Sequence, residues 1–164
     1  MQITRNQRIQ LNKYAPKNGI KFVVLFGSRI QRGRAAVRTD SDFDVAVLTM
    51  PEKNIKDFDN YSLVLSGLAK ILGIPDHKID LTNLNEANIL LRYEITFKGE
   101  LLYGDAEEYE DYKAFAFRDY IDAKPLFELE SLLVQKRQTL IKRALEKSAQ
   151  AVWLTRFSLK EKFP

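Results

Sequence analysis

The feature that constrains this chain most is an apolar run that stops abruptly at a glycine. Phe22-Val23-Val24-Leu25-Phe26 has the length and β-branched content of a buried strand, and Gly27-Ser28 breaks it at once. A second strand-like stretch follows a basic segment, with Phe43, Val45 and Val47 alternating with Asp42, Asp44 and Ala46. In a strand with that alternation Asp42 and Asp44 leave the same face, about 6.6 to 6.8 Å apart at the backbone. Two like charges held on one face repel. The remedies are a raised pKa, a neighbouring cation or a bound divalent metal.

The surroundings favour the metal. Mg²⁺ takes hard oxygen ligands, keeps several waters, and is held by one or two carboxylates together with substrate phosphates. Asp80 offers a third acid: in His77-Lys78-Ile79-Asp80-Leu81-Thr82, Ile79 and Leu81 fall on one side of a short strand and Asp80 on the other. If that strand lies beside the Asp42 strand, the three acids meet. Each piece alone has an ordinary explanation, an Asp-x-Asp at a solvated strand end or a Gly-Ser in a tight turn. Their order and spacing together point to a site that handles a nucleotide, with backbone amides after Gly27 and the Ser28 hydroxyl facing phosphate. His77, the single histidine, reads as a loop residue.

Gly27-Ser28-Arg29, Ser41-Asp42-Phe43-Asp44 and Ile79-Asp80-Leu81 together resemble the motifs of the minimal nucleotidyltransferases (MNT) of the DNA polymerase β-like superfamily, over about residues 20 to 104. The resemblance implies an α/β (α+β) fold, a polymerase β-like nucleotidyltransferase core with a small mixed sheet followed by C-terminal helices. It also implies nucleotide binding at Gly27, Ser28 and Arg29, and Mg²⁺ binding and catalysis at Asp42, Asp44 and Asp80. Members of this family are paired with HEPN-domain ribonucleases, as antitoxins that adenylylate a tyrosine of the toxin. By that resemblance the chain is a Mg²⁺-dependent nucleotidyltransferase using ATP, with a HEPN toxin as partner. Two alternatives stay open: an antitoxin that inhibits by binding alone, and a nucleotidyltransferase acting on a small-molecule hydroxyl. One departure stands out. Thirteen residues separate Ser28 from Asp42, a longer interval than the family usually has, and Arg29, Arg32, Arg34 and Arg38 make the added segment basic.

At 164 residues and 45% apolar content the sequence suits one domain over 1–164, with a catalytic core at 20–104 and a helical extension at 105–164. The absence of cysteine rules out disulfides and thiolate metal sites. Met1-Gln2-Ile3-Thr4-Arg5 lacks the apolar core of a signal peptide, and no run approaches the ~18 residues that cross a bilayer, so a cytoplasmic location is expected. The net charge of +4 is no argument for a nucleic-acid partner, because an enzyme using a triphosphate gains from the same field, and direct nucleic-acid binding is not expected.

The remaining pattern is helical. Residues 3 to 14 read as a short helix, and Phe58, Tyr61, Leu65, Leu68 and Leu72 recur at helical spacing until Gly73, on the helix expected to cross between the acid-bearing strands. Asn83 with Glu86 makes a capping signature before an apolar face of Ile89, Leu90, Tyr93 and Phe97, closed by Gly99. Leu101-Leu102-Tyr103 reads as an edge strand, and Asp105 with Glu108 repeats the cap. Tyr109, Tyr112, Phe115, Ala116 and Tyr120 share one face of the next helix. Pro125 is expected to divide it from a longer one whose Leu126, Leu129, Leu133, Leu140 and Ala144 should face a core. The apolar tail at Val152, Trp153, Leu154 and Phe157 reads as a partner surface.

Overall fold

A computed structural model describes residues 3–28, 30 and 42–160, with 149–160 described by backbone alone. The elements run α1 (Arg5–Tyr14), β1 (Ile20–Phe26), β2 (Phe43–Thr49), α2 (Phe58–Leu72), β3 (Ile79–Asn83), α3 (Ile89–Lys98), β4 (Glu100–Tyr103) and α4 (Ala106–Lys160). The chain divides into two compact units, Met1–Tyr120 and Ile121–Pro164.

The first unit is built on a four-stranded mixed sheet in the order β3-β2-β1-β4. β1 pairs antiparallel with both β2 and β4, whereas β2 and β3 run parallel. A parallel pair needs a crossover, and α2 supplies it. Period-two alternation then separates the two faces. Val23, Leu25, Val45, Val47, Ile79 and Leu81 point towards Leu11 of α1 and Leu68 and Leu72 of α2. Phe22, Val24 and Ala46 point the other way, against Leu84, Ile95 of α3 and Tyr109 of α4.

Local chemistry fixes the helix ends. Thr4 and Gln7 form a reciprocal capping box on α1, Asp57 accepts from the Asn60 amide at the start of α2, and Gly73 closes α2 with φ +70°. Asp105 Oδ1 accepts from the Glu107 and Glu108 amides at 2.9 and 3.0 Å, the cap expected for α4. The Asn85 side chain seals the end of β2. Its Oδ1 accepts from the Thr49 amide and hydroxyl, and its Nδ2 donates to the Thr49 carbonyl, all at 3.0 Å.

Four helical expectations change. α3 starts at Ile89 with Asn88 as its cap, because Asn83 is consumed as the last residue of β3. Its buried residues are Ile95 and Thr96, while Phe97 is 63% exposed. Pro125 does not divide α4, which continues through it without the amide that would have bonded the Ile121 carbonyl. The leucine stripe beyond Pro125 does not face a core: Leu126 is 67% exposed, and Leu129, Leu133 and Leu140 are also exposed. Among its described residues the second unit is helix alone, with no second layer of its own to cover the stripe. The tail side chains at 152–157 lie outside the described ones.

Candidate active site

The end of β1, the start of β2 and the start of β3 lie at one edge of the sheet, as antiparallel pairing of β1 with β2 and parallel pairing of β2 with β3 require. Phe26 is the register partner of Asp44, and Asp44 is the register partner of Asp80. Adjacent parallel strands sit about 4.8 Å apart, so the two carboxylates are neighbours on the sheet face that carries Ala46. Asp44 is half-buried; Asp42, one residue ahead of β2, and Asp80 are exposed. The Tyr61 hydroxyl of α2 donates to the Leu81 carbonyl at 3.3 Å and braces β3 directly after Asp80. The sequence marked Tyr61 only as an apolar face residue.

Gly27 sits against this pair. Its φ of +77° is a left-handed conformation that glycine tolerates, and a Cβ there would overlap the Asp44 carboxylate, with Asp44 Cγ only 2.6 Å away. The glycine therefore ends β1, turns the chain and leaves room for the acid next door. The Ile30 amide donates to the Gly27 carbonyl at 3.3 Å, and Ser28 is exposed. From the sequence the glycine was legible as a turn, but not as the neighbour of Asp44. Arg29, and with it Arg32, Arg34 and Arg38, lies outside the described residues.

The expected adjacency of the acid-bearing strands is present, and the register brings Asp44 and Asp80 together. A gathering of three acids around one point is not: among the described residues no group of three or more His, Cys, Asp or Glu is placed to hold a metal ion. Paired residues in β2 begin at Phe43 opposite Ile79, with Asp42 one residue ahead of the ladder. The donors still suit Mg²⁺, which takes one or two carboxylates with phosphate oxygens completing its shell.

The family model for the polymerase β nucleotidyltransferase domain matches residues 9–108. The chain belongs to this family. Among solved structures, a toxin–antitoxin complex with AMP-PNP holds a chain 22% identical to this one, covering 77% of this chain and 98% of that one at a TM-score of 0.56. A tri-AMPylated Shewanella oneidensis HEPN toxin in complex with its MNT antitoxin gives 20% identity, coverage of 77% and 96%, and a TM-score of 0.53. A mutant MntA–HpeT toxin–antitoxin structure gives 22% identity, 80% and 99%, and 0.56. These likenesses establish a shared α+β fold with a mixed sheet and C-terminal helix. No curated protein matches the chain. Among the described residues, no helix is long and apolar enough to cross a membrane.

Proposed function

We propose that this nucleotidyltransferase is a Mg²⁺-dependent protein adenylyltransferase of the cytoplasm, an antitoxin that transfers AMP from ATP to a tyrosine hydroxyl of a partner HEPN ribonuclease toxin. The observation that carries the reading is the Asp44–Asp80 register beside a glycine corner that leaves space for the Asp44 carboxylate. Toxin–antitoxin structures of the same fold, one with AMP-PNP and one holding a tri-AMPylated HEPN toxin, support the choice of nucleotide and acceptor.

Asp44 and Asp80, with Asp42 from the approach to β2, would hold Mg²⁺ together with the triphosphate. When bound, the ion would neutralise phosphate charge and favour attack at the α-phosphorus. The amides of the Gly27 turn and the Ser28 hydroxyl would hold the β- and γ-phosphates, and Arg29 would add a guanidinium fitted to phosphate geometry. Asp80, exposed at the rim, would accept the tyrosine proton as its oxygen bonds to the α-phosphorus. The bond from that phosphorus to the pyrophosphate oxygen breaks, and pyrophosphate leaves with the electron pair. Positioning and charge compensation, rather than a covalent enzyme intermediate, supply the rate.

The test incubates the full chain with α-labelled ATP, Mg²⁺ and the HEPN protein encoded beside it. Label on a toxin tyrosine, lost in Asp44→Asn, is expected. Neutralisation of the toxin by an Asp42→Asn/Asp44→Asn double variant, without label, would replace this reading with inhibition by contact alone.

A further inference from the structure

The helix layer on the other face of the sheet carries a second cavity. α1 and α2, with the turn after α1, flank an open groove of about 350 Å³ lined by Gln10, Lys13, Tyr14, Lys17, Lys70 and Ile71. Half of these side chains are amines and none is acidic. No carboxylate among the described residues forms an ion pair with Lys13, Lys17 or Lys70. Like charges assembled around a concavity without counterions focus a positive potential into it.

The apolar part of the pocket is held in place. The Tyr14 hydroxyl donates to the Leu63 carbonyl of α2 at 3.0 Å. Its ring sits where α2 has Gly67, and a Cβ at that position would run into the ring. Glycine inside a helix costs about 1 kcal/mol relative to alanine, and here it creates the notch that receives Tyr14. The pocket is therefore lined by a fixed aromatic ring, the Ile71 side chain, Gln10 and three lysines, over a surface that is mainly apolar. A nucleotide carries the complementary groups: a flat base with a polar edge, and phosphates. The volume lies within the range of small-ligand sites.

We propose that this α1–α2 pocket is a second nucleotide-binding site, distinct from the transfer site, that takes a nucleoside phosphate as a free nucleotide or as one unit of a single-stranded RNA. Asp44 and Asp80 share the sheet face of Ala46, whereas α1 and α2 pack on the face of Val45 and Val47, so the sheet stands between the two sites. The inference does not rest on the transfer reaction.

The experiment uses the full chain with Asp42→Asn and Asp44→Asn, in EDTA, so that the transfer site is disabled. AMP and a short oligoadenylate are titrated separately while backbone amide shifts are followed by NMR. Shifts at Gln10, Lys13, Tyr14, Lys70 and Ile71 are expected, with affinity about tenfold weaker after Lys13→Gln/Lys70→Gln, two exposed substitutions whose fold is checked by circular dichroism. Tighter binding of the oligoadenylate identifies RNA as the source, and equal or tighter binding of AMP identifies the free nucleotide. The proposal is overturned by an absence of shifts at these amides with both probes, or by unchanged affinity in the double lysine variant. It is also overturned if hexaglutamate binds as tightly as either probe, which would mean that charge alone is read.

Discussion

Gly27→Ala separates the two demands placed on the glycine corner. The backbone demand is a φ of +77°, which costs an L-residue about 1 to 2 kcal/mol. The steric demand is larger, because the new Cβ overlaps the Asp44 carboxylate and stands 3.0 Å from Asp44 Cβ, so the acid has to swing away from the corner. Gly73→Ala is the matched control: φ is +70° and nothing lies within 4 Å of the added Cβ. Gly73→Ala should lose about 1 to 2 kcal/mol in urea unfolding, and Gly27→Ala more than that. Only Gly27→Ala should lose transfer, by on the order of a hundredfold, since about 1 Å of misplacement in a reacting centre has that effect. The assay is single-turnover transfer of α-labelled AMP to the proposed HEPN partner beside unfolding curves of the same preparations. Full transfer by a folded Gly27→Ala protein would refute the argument, because Asp44 would then not need the space the glycine leaves. Equal loss of transfer in both variants would refute it as well, since backbone strain alone would then suffice.

Three further outcomes follow from the packing. Leu68→Ala empties a fully buried position under the sheet and should cost about 2 to 5 kcal/mol in denaturant unfolding, with little collapse possible between α1, α2 and β1. Asn85→Ala strips partners from the amide, hydroxyl and carbonyl of the buried Thr49 and should cost about 2 to 4 kcal/mol, whereas loss of a surface asparagine is close to neutral. Burial, reinforced by the neighbouring Glu110 and Tyr112, pushes the Tyr109 hydroxyl up to about 12 from its ordinary 10.0. The folded state holds this proton more tightly than the unfolded chain. Its contribution is therefore complete below pH 10 and disappears as pH rises from 10 to about 12. Over that window the wild type should lose about 2 to 3 kcal/mol more than Tyr109→Phe, measured by urea unfolding at each pH.

The sequence was most legible where one local rule sufficed. The apolar run ending at Gly27, the alternation through Phe43, Val45 and Val47, the stop at Gly73 and the cap at Asp105 each map onto an element boundary, because each records a backbone requirement of its own residues. Burial was less legible. On α3 the positions spaced for one apolar face were Ile89, Leu90, Tyr93 and Phe97, yet Ile95 and Thr96 are the buried ones. At the end of α3 the missing Cβ of Gly99 lets the chain pass within reach of Val24 and the Leu25 carbonyl as it turns into β4. That approach is tertiary, and no spacing along α3 records it. Tyr93 finds its partner across the unit instead, stacked on Tyr120 with centroids 4.1 Å apart. The leucines past Pro125 carry the opposite lesson, since periodicity shows which residues share a face but not whether anything covers it. At the site, the pairing of Asp44 with Asp80 followed once β3 lay beside β2, while the position of Asp42 ahead of the ladder depended on a register no motif specifies. The lysine pocket left no signal, because Lys13 and Lys70 come from helices separated by two strands of sequence.

α2 links the two sites and provides a way to tell them apart. It is the crossover between β2 and β3 and packs on the sheet face opposite the acids, and its outer surface with α1 forms the lysine pocket. A change on its α1 side should therefore harm one site and spare the other. Gly67→Ala is such a change. The substitution recovers about 1 kcal/mol of helix propensity, but its methyl occupies the space of the Tyr14 ring, and overpacking of that kind costs about 1 to 3 kcal/mol. The side chain that can yield is Tyr14, because α2 is anchored through Leu68 and Leu72 in the core and through the Tyr61 hydroxyl on β3. Its displacement breaks the bond to Leu63 and removes the aromatic wall of the pocket. Net destabilisation should be no more than about 2 kcal/mol. Nucleotide-induced shifts at Lys13 and Lys70 should disappear, while transfer to the HEPN partner proceeds at the wild-type rate. Loss of transfer in a Gly67→Ala protein that keeps its stability would show that the acids feel the outer surface of α2, and the independence of the two faces would have to be abandoned.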